Sequence, residues 1–473
     1  MTDSPLLSLK LDSTTPEPLF DQLYSQIRQR IADGRFGPGT RLTPSRKLAQ
    51  ELGLSRTTVT TAYDQLVAEG YVEARRGSGL YVLTGSAVEL SPALPPARRA
   101  VDPSMAPPDT PKALHPGLPD MRLFPHQAWA RCLARVARRS PEALTIAQDP
   151  FGDPELRAAT ARYLADWRGL AASPEQILIT AGSVEGLELC LRATLGPGEA
   201  LALEDPGFRP LLRFVSSLGL PHKLLPVGPD GPSLPPPHTD AGDPIRVTVL
   251  TPSSQFPLGG VLPSAQRLAF LQWAAANQGW IIEDDYDSEF RYAGRPIPAM
   301  ASVDAADRTL YVGSFTKVFS TSLRLGFVVI PPKLIGHFRT VLRQHGSRAS
   351  LVPQRPLAVF MQDGLFYRHI RKVRRIYGER RRHLLGLIQR HLSDLVDVTD
   401  HGAGMHLVLH LPEGREDSAL AAQLHQAGVA CQPLSPHYGG AVKRSGLLVG
   451  FCGFTPEEMD PAIAVLARVV SDV

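Results

Sequence analysis

The run Tyr311-Val312-Gly313-Ser314-Phe315-Thr316-Lys317 ends an apolar stretch with small hydroxyl residues and one lysine, and Arg324 follows seven residues later. Upstream, the apolar run Trp280-Ile281-Ile282 leads into Glu283-Asp284-Asp285-Tyr286. A third segment passes through Ala181-Gly182-Ser183 into a helical stretch. These residue types suit one kind of small molecule, a pyridine ring carrying an aldehyde and a phosphate. A lysine amine condenses with an aldehyde to a Schiff base. A carboxylate such as Asp284 pairs with the ring nitrogen and keeps it protonated, so the ring stays electron-withdrawing. Hydroxyls and an arginine hold a phosphate dianion, and backbone N–H groups at a helix start, here Gly182 and Ser183, attract its oxygens. Taken singly, a lysine after a strand is usually a solvated surface residue, a Gly-Ser turn a plain cap, and an Asp-Asp pair a surface feature. Their order along the chain is what joins them.

Such groups must be carried on strand ends, because open α/β sheets bind ligands in the crevice beyond their carboxyl ends. Short β-branched runs predict strands at 177–180, 246–250, 280–283, 309–312 and 326–330, alternating with helical stretches. Residues 113–473 therefore read as an α/β layer fold. Residues 85–112 are rich in Pro, Ala and Ser, lack an apolar period and read as an extended linker. A second proline-rich stretch, 226–244, reads as a surface loop of the large domain.

Residues 10–84 are helix-rich with clear caps. Leu19, Leu23, Ile27 and Ile31 give one helix an apolar face. A short helix follows from Ser45, placed as its cap, with Leu48 and Leu52 inward, and Gly53 ends it. Ser55 caps the next helix, whose stripe is Val59, Ala62, Tyr63, Leu66 and Val67 and whose outer N-terminal residues are Arg56, Thr57, Thr58 and Thr60. Two helices joined by a tight glycine turn form a helix-turn-helix, in which the start of the second helix meets base edges and phosphates. Arg75-Arg76-Gly77 then stands at the tip of a β-hairpin wing suited to backbone phosphates. The ordinary alternative is a small helical protein-binding module.

The stretches PLFDQLYSQIRQRI and GTRLTPSRKLAQELGLSRTTVTTAYDQLVAEGYVEARRGSGLYV resemble the winged helix of the GntR family. The resemblance implies that Arg46, Arg56, Thr57 and Thr58 approach DNA. From about residue 113 onward, Phe151-Gly152-Asp153-Pro154, Glu204-Asp205-Pro206-Gly207-Phe208, Thr251-Pro252-Ser253-Ser254-Gln255-Phe256-Pro257-Leu258-Gly259, Glu283-Asp284-Asp285-Tyr286-Asp287-Ser288-Glu289-Phe290-Arg291-Tyr292 and Gly313-Ser314-Phe315-Thr316-Lys317 resemble fold-type I aminotransferases. The fusion resembles the MocR/GabR subfamily of GntR regulators. It implies an α/β multi-domain chain: an N-terminal winged helix-turn-helix and a C-terminal aminotransferase-like domain that binds pyridoxal 5'-phosphate. By that resemblance Lys317 is the Schiff-base lysine, Asp284 pairs with the ring nitrogen and Tyr286 with the ring 3-oxygen. Ser183, Ser314 and Arg324 contact the phosphate, flanked by Gly182 and Thr316, and Phe208 stacks on the ring.

Two places depart from the aminotransferase pattern. Phe256 stands where those enzymes commonly carry an Asn that contacts the ring oxygen, leaving Ser254 and Gln255 as substitutes. Gly446-Leu447-Leu448-Val449-Gly450-Phe451 lacks the arginine that holds a substrate carboxylate, and Arg444 precedes that run. These favour a regulator with at most weak aminotransferase chemistry over an aminotransferase with an appended domain. The effector is then pyridoxal phosphate itself, an amine or an amino acid. A homodimer meets the need for paired DNA half-sites, and the resemblance implies that each winged helix packs on the partner's large domain.

Composition agrees. Hydrophobic residues at 43% and charged residues at 20% indicate a chain that mostly folds, and the net charge of +4 permits a nucleic-acid partner. No run of about 18 apolar residues suggests a membrane span, and the first ten residues lack a signal-peptide pattern, so a cytoplasmic protein is expected. Cys132, Cys190, Cys431 and Cys452 are widely spaced, which argues against a zinc site or a disulfide framework. In the basic run 368–382, Ile370, Val373 and Tyr377 keep helical spacing. It reads as a solvated helix face whose arginine stems cover apolar surface, with a second DNA-touching patch as the alternative.

Overall fold

Four-residue spacing of large aliphatics builds the first unit. In the computed structural model, which describes residues 9–75, 77–83, 112–146 and 149–471, helix Leu19–Ala32 buries Leu23, Ile27 and Ile31 completely. They pack with Leu48, Val59, Ala62, Tyr63 and Leu66 from helices Ser45–Leu52 and Arg56–Ala68. Gly53 closes the first of these two in the left-handed conformation, as expected. Ser45 does not cap it: Ser45 is the first helical residue, Pro44 holds the cap position, and no side-chain cap bond forms. Val67 is 38% exposed rather than part of the buried stripe, because Leu66 already fills the inward position of that turn. Strands Val72–Arg75 and Gly79–Val82 pair antiparallel as the wing.

The chain divides into two units, Met1–Pro107 and Pro108–Val473. The expected linker, apart from residue 112, lies outside the described residues, as does Arg76.

The second unit is built on an eight-stranded sheet in the order Ile177–Thr180, Gly326–Val329, Thr309–Ser314, Trp280–Asp285, Ile245–Leu250, Ala200–Asp205, His222–Gly228, Gly231–Pro232. All five expected strands are present. Trp280–Asp285 and Thr309–Ser314 each run two residues further than the sequence suggested and carry their polar ends inside the sheet, and Ile245–Leu250 begins one residue earlier. Strands Thr309–Ser314, Trp280–Asp285, Ile245–Leu250, Ala200–Asp205 and His222–Gly228 are mutually parallel, while Gly326–Val329 is antiparallel to both neighbours. Near-continuous apolar runs suit strands covered on both faces, and the middle strands are buried almost end to end. The proline-rich stretch 226–244 is not all loop. Pro226 to Gly228 complete an outer strand, and Gly231–Pro232 pairs with it at the sheet edge, where proline costs no ladder bond. A separate four-stranded antiparallel sheet, ordered Asp397–Val398, His406–His410, Gly446–Gly450, Gln432–Pro433, closes the C-terminal part.

The basic run lies in helix Leu365–His391. Ile370, Val373 and Tyr377 are buried, as the helical spacing suggested. Arg380 is also buried, on Asp120 at 2.7 Å, and Arg381 pairs with Asp400.

Candidate functional site

Lys317 follows the strand Thr309–Ser314, whose parallel neighbour Trp280–Asp285 carries Asp284, so both functional groups leave the same sheet end. Lys317 Nζ donates to the carbonyl of Gly117 at 2.6 Å. A Cβ on Gly117 would stand 3.1 Å from that nitrogen, and Gly117 has φ +69°. Burial pushes the Lys317 ammonium below its ordinary pKa, and the Asp287 charge opposes that shift.

Asp284 is 6% exposed, and its Oδ1 has no hydrogen-bond partner among the described residues. Burial, reinforced by the charges of Asp285 and Glu204, pushes its carboxyl up to about 7. Glu204 is raised to about 7 by burial, but Thr251 and Gln255 bond it. Asp285 is held in place: Arg168 Nε lies 2.8 Å from it, Ser288 Oγ donates at 2.8 Å, and Tyr311 donates as well. Asp285 Oδ1 is also without a hydrogen bond, but Arg168 already pairs that carboxylate; of the three, Asp284 is the one left asking for a cationic donor, which a protonated ring nitrogen supplies.

The proposed phosphate contacts come from two strands that finish at the same end of the sheet, Thr180 and Ser314 both standing opposite Gly326. Gly182 stands at the N-cap of helix Ser183–Thr194, with φ +98°. Ser314 Oγ accepts from the Thr316 amide at 3.1 Å. Arg324 is exposed and carries φ +47°, a left-handed conformation that costs a non-glycine residue about 1–3 kcal/mol and clusters at functional sites.

Phe208 and Tyr286 both meet Phe256 edge-on, at ring centroid distances of 5.8 Å and 5.6 Å. His406 and His437 complete that cluster around Phe256. The residue that replaces the usual asparagine therefore organises the aromatic wall. The two substitutes separate: Ser254 Oγ lies 3.3 Å from the Tyr286 hydroxyl, whereas Gln255 is spent on Glu204 and the carbonyls of Pro206 and Phe256. Arg444 is exposed before strand Gly446–Gly450, and Leu447, Leu448 and Val449 are fully buried in it. Gly117, Asp287 and His406 are site residues that sequence reasoning missed; Asp287 alone had a signal, its place two residues after Asp285. A cavity of about 650 Å³ between the 226–232 segment and His401, His410 and Arg444 does not include Lys317.

In the first unit, Ser55 caps helix Arg56–Ala68, its Oγ accepting from the Thr58 amide at 3.0 Å. That bond ties down Thr58 and leaves Arg56 and Thr57 exposed. Arg46 is exposed on the preceding helix. Arg75 pairs with Glu73, Nε to Oε1 at 2.8 Å, and lies over the Tyr81 ring at 4.6 Å; Gly77 turns the hairpin with φ +75°. Arg41, not anticipated, bridges to Tyr81 and stands beside Gly79.

An unpartnered buried carboxylate, a half-buried lysine and a helix start at the same sheet end fit pyridoxal phosphate. Joined to a winged helix, they define a DNA-binding transcription regulator built on a cofactor-binding aminotransferase fold. Residues 119–466 match the family described as aminotransferase class I and II, and residues 19–82 match the bacterial regulatory proteins of the gntR family. The chain is 37% identical to the probable rhizopine catabolism regulatory protein MocR of Rhizobium meliloti, over 96% of this chain and 94% of that one. It is 33% identical to the HTH-type pyridoxine biosynthesis transcriptional regulator PdxR of Corynebacterium glutamicum, over 98% and 99%. Among solved structures, an archaeal alanine:glyoxylate aminotransferase superposes with TM-score 0.70 at 25% identity, covering 77% of this chain and 91% of that one. The alpha-aminoadipate aminotransferase LysN of Thermus thermophilus superposes with TM-score 0.67 at 26% identity, over 76% and 92%. The chain belongs to the MocR/GabR subfamily of GntR regulators: it binds DNA through its winged helix and pyridoxal phosphate through its aminotransferase domain. No helix among the described residues is long and apolar enough to cross a membrane.

Proposed function

We propose that Lys317 holds the cofactor and that a small molecule acting there controls DNA binding. The observation that carries this reading is the unpartnered Oδ1 of Asp284, on the strand next to the one that ends at Lys317. When bound, pyridoxal phosphate supplies an aldehyde that condenses with primary amines. Asp284 gives its ring nitrogen a buried carboxylate partner. Tyr286, kept in place by Phe256 and Ser254, faces the ring 3-oxygen, and Phe208 covers the ring. Ser183, Ser314 and Arg324 hold the phosphate, with Gly182 and Thr316 shaping the turns around it. On the DNA side, Arg46, Arg56, Thr57 and Thr58 meet the operator, with Ser55 fixing the start of their helix and Arg75, Arg76 and Gly77 at the wing.

The chain acts in the cytoplasm as a homodimer, each winged helix resting on the partner's large domain and the two reading paired half-sites. The effector is pyridoxal phosphate itself, an amine or an amino acid; two relatives carry names from pyridoxine biosynthesis and rhizopine catabolism. The apolar strand Gly446–Gly450 offers a substrate carboxylate no fork, which disfavours efficient amino-acid transamination. The test is a visible absorbance titration with pyridoxal phosphate beside a gel shift on the gene's own upstream DNA. A band that forms while the shift changes makes the cofactor the effector. A band without a change in shift makes it a fixed group and sends the search to amines and amino acids. No band removes the reading.

A further inference from the structure

Asp287 is 2% exposed, and its Oδ2 has no hydrogen-bond partner among the described residues. Ser254 is the one hydroxyl that favours its charged form, and a buried carboxylate oxygen left without a partner is costly and calls for an explanation. It is not spent on the fold: its neighbour Asp285 takes Arg168 and Tyr311, and Glu289 takes Tyr163. Space is kept open in front of it. A Cβ on Gly404 would lie 3.4 Å from Asp287 Oδ2 and 3.8 Å from Ser254 Oγ, and Ser254 in turn lies 3.3 Å from the Tyr286 hydroxyl.

The charges around this carboxylate are one-sided. Burial first, and then the like charges of Asp285 and Glu289, push its carboxyl well above the ordinary range, so it ionises only against a cation, and Lys317 is the cation that opposes the shift. From the other side, Asp287 is the first charge that favours the Lys317 ammonium, with Cys452 behind it. The remaining titratable neighbours do not compete as cations. His406, on the strand His406–His410, is pushed down to about 4 by burial, and His115 is lowered for the same reason. Tyr292 and Tyr286 are raised well above their ordinary values and stay neutral.

We propose that Asp287 is the counter-ion of the nitrogen at the Lys317 position, the positioning residue that keeps that nitrogen protonated, whether it is the lysine's own or that of an incoming primary ammonium. The site then admits an amine effector as a cation. This rests on Lys317 as the cofactor lysine, and goes beyond it by assigning the group that sets the charge there.

The test is a pH titration of the visible band of the cofactor-loaded full chain, comparing wild type, Asp287→Asn and Asp287→Glu. Removing the carboxylate is expected to lower the midpoint for loss of the protonated band by at least about one pH unit, a tenfold shift in the protonation equilibrium. Asp287→Glu, which keeps the charge, is expected to restore most of that shift. Because Oδ2 makes no bond in the fold, the Asn variant is expected to fold. Should it not accumulate, wild type still decides: a nitrogen held by a buried carboxylate keeps its proton to about pH 8, and a wild-type midpoint below about 6 overturns the proposal. So does a band that forms in Asp287→Asn with an unmoved midpoint, an outcome that leaves Lys317 in its role. A wild-type protein with no band overturns the cofactor-lysine reading instead, and this proposal with it.

Discussion

Asp284 and Asp285 are adjacent on the strand Trp280–Asp285 and meet different fates: Asp285 is clamped through Oδ2 by Arg168 at 2.8 Å, with only its Oδ1 unbonded, while Asp284 has no ion pair and its Oδ1 has no partner among the described residues. Alternation along a strand sends the two side chains to opposite faces. One face is finished by the protein and the other is left for a ligand.

That contrast has a pH signature. Burial raises Asp284 and Glu204 to about 7, so in the cofactor-free protein both bind protons more readily than in the unfolded chain. Their stabilising contribution is complete below the unfolded carboxyl pKa and is lost as pH rises through the folded one. The buried histidines His369 and His406, lowered to about 4, act in the opposite direction but only below their unfolded pKa of about 6.5. Between about pH 6.5 and 8, the thermal midpoint of cofactor-free protein is therefore expected to fall. Asp284→Asn and, separately, saturation with pyridoxal phosphate should each flatten that slope. Equal slopes in wild type and Asp284→Asn would count against Asp284 as the open acceptor.

Lys317→Ala removes the amine that attaches the cofactor. The visible band is expected to vanish while far-UV circular dichroism stays unchanged, since Nζ makes a single bond, to the Gly117 carbonyl, among the described residues. An unaltered visible spectrum in this variant would refute the assignment.

Gly117→Ala probes the other end of that bond. Its methyl would stand 3.1 Å from Lys317 Nζ at a backbone φ of +69°, a conformation costing an L-residue about 1–2 kcal/mol. Titration by absorbance should show roughly tenfold weaker cofactor uptake, with operator affinity of the cofactor-free protein intact. Wild-type uptake would mean the Lys317 pocket has slack there.

On the DNA side, Arg56→Ala is expected to weaken operator binding by about 1–3 kcal/mol at fixed salt and to leave the visible band untouched. Ser55→Ala removes the cap at Thr58 and should destabilise the winged helix by about 1 kcal/mol, read as a lower midpoint in urea. An Arg56→Ala protein that shifts operator DNA at wild-type concentrations would misplace the recognition helix.

What the sequence determined by itself were the groups set by local rules. The stop of one helix at Gly53, the cap at Ser55, the apolar strands and the lysine and aspartate at their ends follow from periodicity and from residue chemistry over a few positions. The structure departed where two local signals tied, as at Ser45, where Pro44 took the cap position, and at 226–244, where an edge strand tolerated prolines. What only the tertiary structure decided is which groups are satisfied. Lys317 meets a carbonyl 200 positions away in the chain, Asp285 is paired by Arg168, and Phe256 gathers Phe208, Tyr286, His406 and His437. Hydrogen bonding and desolvation depend on segments brought together by folding, so a sequence shows that a carboxylate is present at 284, 285 and 287 but not which of the three are left without a partner.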